Sequence, residues 1–115
     1  MNMELNVLTY INNNQGTSYA ELEHLFDELN FEWRGNFDIC SGQCENVILW
    51  TGWNKEAIEV INNLKRSEKI EQVLTDPIIY LIDGKALNMP IVKKYKDYKK
   101  PHWLPVVFTT NKARG

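Results

Sequence analysis

The apolar residues of this chain change their spacing near residue 70, and that change constrains the fold more than any other feature. Before it, they recur every three or four positions, which is the helical period. After it, they alternate or run together, as in strands. Leu5, Leu8 and Ile11, with Val7, predict a first helix over 3–13, ended by the asparagines and glycine of 12–16. Ser18 and Glu21 stand in S-x-x-E spacing, a capping box for a second helix over 19–29 with Leu22, Leu25, Phe26 and Leu29 inside. Asn54 caps a third helix, whose inner face carries Ala57, Ile58, Ile61 and Leu64 with Val60 flanking. It ends near Ser67 or Glu68.

Between these helices, 30–45 reads as a twisted strand or an irregular loop, and 46–50 as a brief strand. Beyond the change of period, 70–75 and 78–82 read as strands divided by Asp76-Pro77, with a turn at Asp83-Gly84. Residues 87–92 form an edge strand because Pro90 has no N–H to give a central ladder, and 103–109 a last strand. The expectation is a single α+β domain with its core over about 3–109 and a frayed tail at 110–115. It has three helices and a small antiparallel sheet in the order H1-H2-S1-H3-S2-S3, plus a C-terminal strand.

That order resembles winged helix-turn-helix domains. The residues that carry the resemblance are 17–26, TSYAELEHLF, as the second helix, and 53–64, WNKEAIEVINNL, as the third. The exit SEKI at 67–70 is similar to the step into a wing. The segment 84–108 is long for a simple wing. In size and in its many Asn, Lys, Ile and Tyr residues the chain also resembles small proteins of Gram-positive phages and genomic islands. The winged-helix resemblance implies DNA binding with the third helix in the major groove and basic residues of that helix and the wing on phosphates. The residues it selects are Lys55, Asn62, Asn63, Lys65, Arg66 and Lys69. Glu56 and Glu59 on the same helix oppose that docking.

Net charge is only −2, but it is unevenly placed: residues 1–84 hold 5 Lys/Arg against 14 Asp/Glu, and 85–115 hold 8 against one. Such asymmetry points to a partner, or to acidic and basic parts that face each other. Within 93–103 lie five lysines (Lys93, Lys94, Lys96, Lys99, Lys100), two tyrosines, His102 and Trp103. Lysines neutralise phosphates and interleaved aromatics stack on bases. The competing reading is an edge made soluble by lysine, with Tyr95, Tyr98 and Trp103 as packing.

Candidate chemistry is thin. The chain has no phosphate-binding loop, dinucleotide fingerprint or G-x-S-x-G elbow, so a non-enzymatic module without cofactor is expected. Asp27, Glu28 and Glu32 cluster in sequence and read as a solvated face rather than a magnesium site. Cys40 and Cys44 lack a second cysteine pair, and His24 and His102 stand alone, so no metal is expected. Four tryptophans are many for 115 residues. Trp50 and Trp53 bracket a strand-to-helix junction, where at least one belongs to the core. Trp33, Arg34 and Phe37 form the alternative site, an aromatic surface for a protein partner with Trp33 as exposed anchor. No apolar run suffices for a membrane span and no basic start precedes an apolar stretch, so a cytoplasmic protein is expected, as monomer or homodimer.

Overall fold

The computed structural model describes residues 2–110. Helix α1 (Met3–Asn13) starts where the Asn2 side chain accepts from the Leu5 N–H at 3.1 Å. It buries Val7 and Ile11, one turn apart, while Leu5 is 59% exposed. The inner stripe is therefore turned away from the expected Leu5-Leu8-Ile11 line. At Gly16 the chain takes φ +84°, and its N–H reaches the Phe108 carbonyl at 2.9 Å. This seats a two-residue strand that the sequence did not reveal, β1 (Thr17–Ser18). Helix α2 (Tyr19–Glu28) follows under the full capping box of Ser18 and Glu21.

Within 30–45 the strand reading holds for 34–40, and the rest is turn and loop. β2 (Arg34–Cys40) and β3 (Val47–Trp53) pair antiparallel, with register shifts near Phe37 and Ile39. Gly35 is dictated by packing: a Cβ there would lie 2.7 Å from the backbone of Asn54. Asn54 then accepts from the Ala57 N–H at 2.8 Å and opens α3 (Lys55–Arg66). Its buried residues are Ala57, Val60, Ile61 and Leu64, so Val60 takes the inner place expected for Ile58. β4 (Glu71–Leu74) occupies the centre of the expected 70–75 strand.

Residues 78–82 are not a strand. They belong to a short fourth helix, α4 (Ile78–Asp83). Pro77 has φ −55° and ψ −21°, the Asp76 carboxylate accepts from the Ile78 N–H at 3.0 Å, and Gly84 closes the helix at φ +90°. An unbroken apolar run carries no period, so these flanking residues decide its form. Only Tyr80 is buried; Ile78, Leu81 and Ile82 are 54%, 66% and 74% exposed. The glycine expected to make a hairpin turn is thus a helix stop.

The expected edge strand at 87–92 is reduced to one bridge, Ile91 to Trp103. Pro90 offers only its carbonyl, which accepts from the Trp103 N–H at 2.8 Å. The expected strand 103–109 is split into β5 (His102–Trp103) and β6 (Val106–Thr109). Pro105 lacks an N–H, and at this break the chain passes from one sheet to the other.

Two three-stranded sheets result, β1-β6-β4 and β2-β3-β5, instead of one small sheet. β6 pairs antiparallel with both neighbours, whereas β5 runs parallel to β3. The order of elements therefore departs from H1-H2-S1-H3-S2-S3, by a strand before the second helix, a hairpin between the second and third, and a helix after β4. The core lies between the sheets and α1–α3, and its largest fully buried side chains include Trp50, Trp53, Trp103, Tyr19 and Tyr80. Thr110 is buried and hydrogen bonded to Gln15 and Asn12; the rest of the expected frayed tail, 111–115, lies outside the described residues. Among the described residues no helix is long and apolar enough to cross a membrane.

One buried charge belongs to this framework. The Glu23 side chain, 7% exposed, accepts from the indole N–H groups of Trp50 and Trp53 at 2.8 and 2.9 Å. Lys85 donates to the same carboxylate at 2.9 Å and lies over the rings of Trp33 and Trp50. This ties the segment that follows α4 to α2 and β3, and fixes where the basic part of the chain begins.

Candidate nucleic-acid interface

The lysine-rich segment is held in place by bonds to the turn between β2 and β3. The Tyr98 N–H donates to the Glu45 carbonyl at 3.0 Å, and the Asn46 side chain donates back to the Tyr98 carbonyl at 2.8 Å. The Tyr98 hydroxyl donates to the Lys94 carbonyl at 2.6 Å and accepts from the Lys94 N–H at 3.2 Å, closing the loop on itself. Tyr95 reaches Ser41 Oγ at 3.0 Å. Both tyrosines help pin the loop; Tyr98 is half-buried, whereas Tyr95 stays exposed. The lysines around them point to solvent.

Asp97, the one acid of 85–115, is exposed, and its carboxylate accepts from the Glu45 N–H at 2.7 Å. Lys93, Lys94, Lys96, Lys99 and Lys100 are all exposed. None forms an ion pair among the described residues. Five unneutralised ammonium groups on one anchored loop make a local positive field in a chain of net negative charge. Lys93, Lys94 and Lys96 line a hollow of about 590 Å³ together with Ile91, Tyr98 and His102. The His102 ring stacks on Tyr98 at 3.9 Å, and Lys96 lies 5.3 Å from the other ring of that pair, Tyr98. The Lys100 carbonyl lies 2.8 Å from His102 Nδ1, which fits the tautomer with its proton on Nδ1.

The residues selected on the third helix are differently placed. Lys65 donates to Gln72 at 3.0 Å, and burial holds its ammonium below the ordinary lysine value. Arg66 pairs with Glu59 at 3.1 Å and bonds to Asn63, and Asn63 in turn donates to Glu4 at 2.9 Å. Lys55 lies 5.5 Å from the Phe37 ring centre. Asn62 is half-buried, and Lys69 is exposed beside Glu68. The helix thus spends much of its polar surface on its own neighbours and does not join the 93–100 cluster in one hollow.

The alternative site also departs from expectation. Trp33 is only 7% exposed, with its indole N–H on Asp27 at 3.0 Å, so it is not an exposed anchor. Arg34 covers its ring at 4.6 Å and pairs with Asp27 and Glu32 at 3.2 and 3.3 Å. The Arg34 backbone N–H, followed by its guanidinium, holds the Glu32 carboxyl below its usual range. Phe37 remains 46% exposed. Cys40 and Cys44 are free thiols, and burial, then Asp38, pushes the Cys40 thiol up. Among the described residues no three His, Cys, Asp or Glu side chains converge as a metal site.

Sequence reading missed the partners that shape the basic loop: Ser41, Glu45 and Asn46. They lie about fifty positions away and no local signal marks the pairing. No protein-family model, curated protein or solved structure matches this chain.

Proposed function

We propose that the chain is a non-enzymatic nucleic-acid-binding module of winged-helix-like build, with the 93–100 loop as its electrostatic anchor. The observation that carries this reading is the set of five exposed lysines on one loop, without an ion pair among the described residues, three of which line one hollow. Phosphates are the partners such a cluster fits, through neutralisation and counterion release. The build is supported by three helices against the antiparallel β1-β6-β4 sheet and by the step from α3 into β4. The segment between β4 and β6 then takes the place of a wing, and it holds the lysines. Lys55 and Lys69 are auxiliary contacts, while Glu56 and Glu59 argue against deep insertion of α3 in a groove.

The test is charge reversal. A variant with Lys93, Lys94, Lys96, Lys99 and Lys100 replaced by Glu should lose binding to mixed-sequence DNA while its circular dichroism is unchanged. Retained affinity would remove the loop from the site. A second reading, a protein partner, draws on a different observation: Ile78, Leu81 and Ile82 of α4 and Leu74 of β4 are large apolar residues left exposed. Co-purification of one stoichiometric protein, lost on Leu81→Asp and indifferent to the lysines, would favour it.

A further inference from the structure

The lysine loop contributes to two hollows, and its lysines line only one of them. One is the basic hollow already described. The other is a groove of about 400 Å³ lined by Ser41, Gln43, Gln72, Leu74, Tyr95 and Leu104. Neighbouring residues of one loop serve different sides: Lys94 and Lys96 line the basic hollow, and Tyr95 between them lines the groove. The Tyr95 hydroxyl is fixed on Ser41, yet the residue stays 48% exposed. Leu74 and Leu104 supply apolar surface beside it, and the amides of Gln43 and Gln72 supply polar atoms at the margin.

An apolar, aromatic groove next to unpaired ammonium groups matches a ligand that is flat and apolar in one part and anionic in the next. A nucleobase with its phosphate has that form. Bases in a duplex are stacked and paired, so they do not enter a side groove without unstacking. Unpaired bases do so readily. Resting on the nucleic-acid reading above, we infer that this site takes single-stranded nucleic acid, with one base against Tyr95 and Leu74 and the adjoining phosphates on Lys94 and Lys96.

The test compares three labelled probes by anisotropy. They are a deoxythymidine oligomer of about 12 nucleotides, the same backbone with abasic residues, and a duplex of equal length. The single strand should bind tighter than the abasic backbone by about 5- to 150-fold, the range for one stacked base. Tyr95→Ala should bring the oligomer down to the abasic level and leave abasic binding unchanged. Leu74→Ser, at a more exposed position, should act in the same direction and guards against a folding defect in the first variant. The Lys94→Glu/Lys96→Glu protein should bind both single-stranded probes more weakly. Equal affinity for oligomer and abasic backbone, or a ratio unmoved by Tyr95→Ala, would overturn the base site and leave the nucleic-acid reading standing. Failure of the wild-type protein to bind any of the three probes would overturn both.

Discussion

Two tyrosines of the core give a matched pair of substitutions with opposite expected effects. The Tyr80 hydroxyl donates to the Val106 carbonyl at 2.6 Å and accepts from the Tyr19 N–H at 3.1 Å. That N–H opens α2 and has no partner within the helix. Tyr80→Phe keeps the ring contacts with Trp50 and Trp103 but leaves two buried backbone groups short of a partner. At about 1–3 kcal/mol for each of the two groups left unsatisfied, the expected loss is about 2–6 kcal/mol. The Tyr19 hydroxyl is also fully buried, but it has no hydrogen-bond partner among the described residues. Tyr19→Phe removes an oxygen that is desolvated for no return. Its effect should lie between neutral and a gain of about 1 kcal/mol. Urea unfolding followed by far-ultraviolet circular dichroism measures both, since neither change alters helix content. A loss of 2 kcal/mol or more (about the lower bound for Tyr80→Phe) in Tyr19→Phe would refute the reasoning. So would an unchanged midpoint in Tyr80→Phe.

Three further outcomes follow from the packing. Glu23→Gln keeps an oxygen for the two indoles and loses only the pairing with Lys85, which is 46% exposed, so it should cost about 1–2 kcal/mol. Glu23→Ala also orphans both indole N–H groups and should cost about 3–5 kcal/mol; equal losses in the two variants by chemical denaturation would contradict the assigned geometry. Gly35→Ala places a Cβ against rigid backbone at 2.7 Å and should cost about 1–3 kcal/mol, visible as a lowered melting temperature. In alkali, burial and the Glu21 carboxylate push the Tyr10 phenol up to about 12, and burial pushes Tyr19 and Tyr80 up as well. Neutral phenols are favoured in the folded state, so their contribution is complete below the ordinary tyrosine value near pH 10 and fades as the pH rises towards about 12. Stability that is flat across that window would count against these burials.

The helices were legible because their signals are local. The Ser18–Glu21 box and the Asn54 cap mark where α2 and α3 start, and apolar spacing marks how far they run. Residues 78–82 are not legible, since five apolar residues in a row carry no period; Asp76, Pro77 and Gly84 hold the information as helix boundaries, but the same residues equally suit a break and a turn. β1 is two residues long and exists only because β6 lies beside it, 90 positions away. Nothing in the local sequence of α2 marks Glu23 as buried. Its burial depends on Trp50, Trp53 and Lys85 arriving from elsewhere, which no helical pattern announces. At the candidate site, the lysines and aromatics were visible as composition. The bond from the Glu45 N–H to Asp97 and the sorting of Tyr95 and its flanking lysines into separate hollows come from long-range pairing with residues 41–46.

The most direct test of the central claim is the salt dependence of single-strand binding. If the five lysines of the loop neutralise phosphates, log K should fall with log salt at a slope of about −3.5, near 100-fold between about 50 and 200 mM. The variant with those lysines reversed should lose that slope together with its affinity. Binding that ignores salt, or no binding at the lower salt, would contradict the account.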